Sequence, residues 1–436
     1  MNQPIPLASV DDQRNRQAKE TVRQRVSWPV NLTPANVTYH SRGHALVMGS
    51  EREARQAARL LMSDANTPAG QGLASVTLLF TAATQGGALE SDSDLLAATQ
   101  VLNTQALTRH QVEQLQVSGY LGAFNVRIGG DEPLDLARAL IQRDCFDLVL
   151  DLTPTPCMAV ELPPPGYMLL DWQAEQERQE TLADFAALTG EFDKPRYFQV
   201  NSDLCAHSSS GNIGCTRCLD VCPADAISSH QGRIESRIEI DPFLCQGVGS
   251  CTSACPTGAI EFRLPETRRQ QETLSSWLGA YREAGGTHPV LRFVTHDTLA
   301  AEHQADDQTA GHVLDIPLEE LGSAGHDQWL TGLAAGAAEI RIQYHPDMPE
   351  RLSAFLDAQL AQARALLASF GLHSERVQAL SPDDHAARAP AKIVPDATRA
   401  VRIDNGDVEH DAHQVTHRAQ HEASSAGAGL EQVAVA

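Results

Sequence analysis

Lysine is nearly absent from this chain. Of 33 basic residues only Lys19, Lys194 and Lys392 are lysines, and against 56 acidic residues they leave a formal net charge of −23. A field of that sign repels phosphate backbones and anionic lipid, which excludes nonspecific binding to nucleic acid or to an acidic membrane surface. An acidic proteome explains the charge equally well, and the arginine bias reads as genome composition rather than chemistry. No run approaches the ~18 apolar residues of a membrane span. Residues 1–20, MNQPIPLASVDDQRNRQAKE, have neither the apolar core of an export signal nor a twin-arginine pair. A soluble, cytoplasmic protein without membrane insertion is expected. Phosphate-loop signatures are missing too. VMGSEREA (47–54) sets a Gly-Ser turn before a helix, yet contains neither G-x-G-x-x-G nor G-K-[ST]. Ser50 is therefore expected to cap an ordinary strand-to-helix turn.

At 436 residues the chain has room for two or three domains. Residues 1–38 are polar and poorly periodic, and read as a loosely held arm. From His44 the pattern is α/β: HALVMG and ASVTLLF as strands around the helix SEREARQAARLLM, then FNVRI, the helix-like EPLDLARALIQR, and FDLVLDLT, an apolar run of the kind found in buried parallel strands. ELPPPGYMLLD is a proline-rich turn returning to extended chain. Residues 39–198 are thus expected to form one open α/β sheet. After residue 264 comes TRRQQETLSSWLGAYREAGG, read as an exposed charged helix. A second α/β domain over 265–380 follows, with PVLRFV, HVLDIPL, EIRIQY and Val377–Leu380 as strands. DQWLTGLAAGAA and ERLSAFLDAQLAQARALLASFG are its helices. Residues 381–436 dissolve into Ala, Asp, His and polar residues and read as a disordered tail. The irregular spacing of its five histidines, His385 to His421, reads as solvated chain rather than a metal site.

Cysteine is scarce except in one place. Seven of the nine cysteines lie between Cys205 and Cys255. Such clustering points to metal, since a disulfide framework is unusual in a large cytosolic chain. Cys145 and Cys157 sit in apolar surroundings and read as buried small hydrophobes. Cys215-x2-Cys218-x3-Cys222-Pro223 is the end of an iron–sulfur motif whose leading position falls on Asn212. CQGVGSCTSACP (245–256) repeats it with Val248, which cannot ligate iron, where the second thiolate belongs.

A cubane cluster needs thiolates converging on one small body, and the x3-Cys-Pro step hands a thiolate to the neighbouring cluster. Proline after that cysteine turns the chain away, while Gly247 and Gly249 allow close backbone approach with N–H groups free for sulfide. Zinc would more typically show paired Cys-x2-Cys knuckles without Cys-Pro. The swap assigns Cys215, Cys218 and Cys255 to one 4Fe–4S cluster, with Cys205 as candidate fourth ligand and a nearby non-ligand thiol as the alternative. Cys222, Cys245 and Cys251 go to a second cluster, either 3Fe–4S or a three-cysteine 4Fe–4S. Cys205 stands ten residues before Cys215, so the chain must loop out and return.

CTRCLDVCPADAI and CTSACPTGAI make residues 199–264 resemble a bacterial two-cluster ferredoxin domain. DLCAHSSSGNIGCTRCLDVCP and PPPGY (163–167) are similar to proteobacterial polyferredoxin-like proteins, in which the Cys-Ala-His-Ser segment supports Cys205 as a ligand. That resemblance implies a neighbourhood of formate dehydrogenase-type genes. LGSAGHDQWLTGLAAGAAEIRI (321–342) and FGLHSERVQAL (370–380) resemble the iron–sulfur subunit of hydrogenase–heterodisulfide reductase complexes. Those relatives carry further cysteines, and here none follows Cys255. The fold expected is therefore α/β with an inserted small α+β ferredoxin-like two-cluster domain, flanking open α/β domains and a disordered tail.

The expected function is electron transfer between a cytoplasmic redox enzyme, formate dehydrogenase-like, and another carrier. The flanking domains would dock redox protein partners, and the acidic surface implies a basic patch opposite and association that slows with salt. The rivals are an enzyme using an iron left open at Val248 as Lewis acid, and a sensor or scaffold with structural clusters. No acid–base constellation and no Cys-x3-Cys-x2-Cys spacing supports catalysis, and Asp220 and Asp225 beside Cys222 read as solvated.

Overall fold

The first sheet is parallel throughout, with strand order Asn103–Ala106, Ser75–Ala82, His44–Ser50, Leu148–Asp151, Tyr167–Leu169. The computed structural model describes residues 12–29, 36–63, 72–82, 92–129, 132–208, 214–232, 236–263, 266–304 and 310–382. Leu148–Asp151 is buried at every position, the pattern of a parallel strand covered on both faces. Helix Glu51–Leu61 buries Ala54, Ala57, Ala58 and Leu61, an i, i+3, i+4, i+7 stripe laid on this sheet. The Ser50 hydroxyl accepts from the Glu53 N–H at 3.4 Å and donates to its carboxylate at 2.7 Å. The VMGSEREA turn is accordingly a capped helix start. FNVRI does not join this sheet. Asn125–Ile128 lies in a separate antiparallel sheet between Leu115–Ser118 and Leu134–Asp135, because its alternating burial suits a sheet covered on one face.

The second parallel sheet runs Val313–Leu318, Val290–Thr295, Glu339–Gln343, Val377–Leu380. Its polar interior is paired, as buried charge requires. The Arg292 guanidinium bonds Asp315 at 2.8 Å and Glu302 at 2.7 Å, and Arg341 bonds Glu339 at 2.9 Å.

Two segments differ from their sequence reading. The supposed N-terminal arm contains helix Asp12–Arg25, which packs on helix Thr267–Glu283 and this second sheet. Ala18 and Val22 are buried, Lys19 Nζ reaches Asp315 at 3.1 Å, and Asn15 accepts from the Thr287 N–H at 2.9 Å. Asn and Lys on the buried face hid the helix from a hydropathy period. Helix Thr267–Glu283 is likewise not simply exposed, for Leu274, Leu278 and Tyr281 are fully buried beneath its charged outer face.

Between the two parallel sheets in sequence lie two short antiparallel ladders. Phe198–Val200 pairs with Ile260–Phe262, and Ile227–Gln231 with Ser236–Ile240. Phe198, Ile227, Ile238, Ile240 and Ile260 form a small core against which six of the seven clustered cysteines pack. Among the described residues no helix is long and apolar enough to cross a membrane. The tail expected over 381–436, its histidines, and Asn212 lie outside the described residues but for 381 and 382.

Candidate metal centre

The cysteine region is built twice from one pattern. Cys222-Pro-Ala-Asp-Ala-Ile and Cys255-Pro-Thr-Gly-Ala-Ile each leave a short helix, Arg217–Asp220 and Ser250–Ala254, and each run into a strand. Three residues past each cysteine the chain is left-handed, at Asp225 (φ 47°) and Gly258 (φ 66°). That turn aims matching backbone N–H groups at each thiol. Those of Ala224 and Ala226 favour the Cys222 thiolate, and those of Thr257, Ala259 and Ile260 favour the Cys255 thiolate. Such donors stabilise sulfur carrying negative charge, the form that ligates metal.

All nine cysteines are free thiols, and Cys218 and Cys251 feel different sets of cysteine neighbours. Burial pushes the Cys218 thiol up to about 11, and the charges of Cys205 and Cys255 push the same way. Burial likewise drives Cys251 well above its ordinary value, reinforced by Cys245 and Cys222 and, less, by Cys218. Cys245 is raised by burial and by Cys222, against the Gly247 N–H and Lys194. Cys255 alone is lowered: burial acts upward but the Thr257 hydroxyl and the backbone donors prevail. Buried thiols that raise one another are poor neighbours unless a cation body takes up their charge. Among the described residues no group of three His, Cys, Asp or Glu is placed to hold a single metal ion. Donor chemistry, spacing and N–H donors fit an iron–sulfur group.

The Cys215 backbone is held by a residue the spacing alone does not mark. His207 is fully buried; its Nδ1 donates to the Cys215 carbonyl at 3.0 Å and its Nε2 lies 2.8 Å from the Ser229 hydroxyl. The Cys-Ala-His-Ser string was its signal in the sequence. Cys145 and Cys157 stand apart, half-buried rather than buried. Burial raises both thiols, Cys157 to about 11.

Val248 faces no solvent. It is 7% exposed and continuous with the apolar interior of Leu321, Ala324 and Leu352 under the second parallel sheet. Backbones meet without side chains here. A Cβ on Gly249 (φ 81°) would stand 2.6 Å from the Ser323 nitrogen, and one on Gly322 would stand 2.4 Å from the Val248 carbonyl oxygen. The Ser253 hydroxyl donates to the Gly322 carbonyl at 2.7 Å.

Two cations reach the backbone of the second thiol group. Arg351 donates to the Cys222 carbonyl at 2.6 Å and to Asp225 at 2.5 Å. Asp225 is therefore ion-paired, not merely solvated. Lys194 Nζ donates to the carbonyls of Cys245 at 2.8 Å and Phe243 at 3.0 Å, 4.9 Å from the Tyr39 ring centre. Burial pushes its ammonium down to about 8, with Cys245 and Asp241 acting against.

Residues 213–259 match the 4Fe-4S dicluster domain family. This stretch is an iron–sulfur, ferredoxin-like domain of the 4Fe–4S-binding kind. Over 68 residues the chain is also 37% identical to the "Putative electron transport protein YsaA" of Escherichia coli (strain K12). That likeness covers 16% of this chain and 40% of the relative.

Proposed function

We propose that the chain is a cytoplasmic two-cluster electron carrier working between a formate dehydrogenase-like enzyme and a second carrier. What supports this reading is that Cys218 feels Cys205 and Cys255, whereas Cys251 feels Cys245 and Cys222 more than Cys218, the crossed pattern the motifs imply. Cys215, Cys218 and Cys255 with Cys205 hold a 4Fe–4S cluster. Cys222, Cys245 and Cys251 hold the second, a 3Fe–4S cluster in this reading, with Val248 at the missing corner. When bound, such clusters supply one-electron redox chemistry. The chain's own residues supply thiolates, backbone N–H donors and an apolar surround that sets the potential.

Val248 supports the carrier reading over Lewis-acid catalysis, because it is buried in the same apolar interior as Leu321 and Leu352 rather than opened to a substrate. An open cleft of about 730 Å³ does reach Cys255, between Arg217, Glu261, Arg268, His326 and Asp327. A partner approaching there meets the first cluster's ligand loop.

Iron and sulfide analysis with electron paramagnetic resonance, on anaerobically purified protein titrated with dithionite, tests this. Two reversibly reducible centres are expected, and a formate dehydrogenase-type enzyme should bleach them, more slowly at high salt. Centres that resist reduction while their loss unfolds the domain would establish a scaffold instead.

A further inference from the structure

Resting on the two-cluster reading, we infer that Lys194 is a positioning charge that raises the reduction potential of the Cys222–Cys245–Cys251 centre selectively. Lys194 comes from strand Gly190–Pro195, outside the cysteine region and paired with Asn36–Ser41. It reaches across to place its ammonium on the Phe243 and Cys245 carbonyls of the loop that carries Cys245. Tyr39, fixed by its hydroxyl's 2.6 Å bond to the Phe243 carbonyl, closes the site from the other side.

Comparison with Arg351 identifies which cation acts. Arg351 also holds a ligand carbonyl, that of Cys222, but its charge is met by Asp225 at 2.5 Å and Glu161 at 3.6 Å. Among the described residues no carboxylate stands within ion-pair distance of Lys194. Its hydrogen-bond partners are two carbonyl dipoles beside an aromatic face, and Asp241 offsets its charge only from beyond ion-pair distance. Reduction adds one electron to the centre, here from dithionite, and moves no proton from Lys194. A half-buried cation with no carboxylate in contact, beside the ligand loop, favours the more negative, reduced form. Cys215, by contrast, is tied to the chain through His207.

The test is a potentiometric titration of the full chain, with the second centre identified as the one whose spectrum changes in Val248→Cys. Lys194→Met keeps the apolar stem and removes the charge, and Lys194→Arg keeps the charge. The reduction equilibrium of the second centre is expected to fall about tenfold in Lys194→Met, ~59 mV for one electron. The first centre should move far less, and Lys194→Arg should restore most of the shift. Two intact centres whose potentials do not move, or move equally, would overturn this inference alone. A wild-type chain with only one reducible centre would overturn the two-cluster reading and this inference together.

Discussion

Val248→Cys and Val248→Ala separate two roles of one side chain. Val248 is 7% exposed and shares an apolar interior with Leu321, Leu352 and Trp329. Truncation to alanine removes two buried carbons, about 1.5 kcal/mol of transfer energy, and the residual cavity brings the loss to about 2–3 kcal/mol. Cysteine refills most of that volume with a small polarizable group, so its cost should stay near 1 kcal/mol. Trp277 and Trp329 belong to the same interior and Trp28 packs against it, so tryptophan fluorescence in urea reports this body. A loss of 2–3 kcal/mol moves the midpoint down by about 1 M. The chemical consequence runs the other way. Cysteine places a thiol at the missing corner and should add one iron per chain and change the spectrum of the second centre; alanine should do neither. A cysteine variant with the iron content and spectrum of the alanine variant would refute the ligand map. An alanine variant as stable as wild type would refute the packing argument.

Lys19→Met should release helix Asp12–Arg25 from the second sheet, costing about 2 kcal/mol because Asp315 keeps Arg292 as a partner; faster amide exchange confined to residues 12–25 checks it. His207→Phe fills the buried site but loses both bonds, leaving the Cys215 carbonyl without its donor. It should lose the first centre's iron to chelator several-fold faster, at about 1–3 kcal/mol, with the second centre's rate as control. Burial, then Asp297 and Glu319, raise the Glu320 carboxyl from 4.5 to about 7. The folded chain therefore binds that proton more tightly than the unfolded chain. Its stabilisation is complete below about 4.5 and is lost as pH rises through about 7, by at most ~3 kcal/mol before solvent screening. Glu320→Gln should flatten the wild-type decline between those values; an unchanged slope in urea midpoints at pH 5 and pH 8 would contradict this.

Several elements were legible in the residues. FDLVLDLT announced a buried parallel strand because such strands need apolar side chains on both faces, and EIRIQY was legible as a strand. The capping role of Ser50 followed from the missing phosphate-loop glycines. Cys-Pro spacing marked the metal centre because ligand geometry is local to a few residues of backbone. Helix Asp12–Arg25 escaped because its contact face uses Asn15 and Lys19, whose partners Thr287 and Asp315 lie far along the chain. FNVRI was placed in the wrong sheet because strand propensity carries no record of which neighbour a strand pairs with.

The same division holds at the centre itself. The residues alone determined which thiols belong to which motif, and that Val248 stands where the second motif would carry a cysteine. Only the tertiary structure decided what surrounds it: an apolar interior shared with Leu352, beside the Gly322 turn. It also showed that Lys194, one of three lysines and first read as compositional accident, sits on the Cys245 carbonyl. Ligand spacing is written in consecutive residues, whereas desolvation and the placing of a charge beside a loop arise only where distant segments of chain are pressed together.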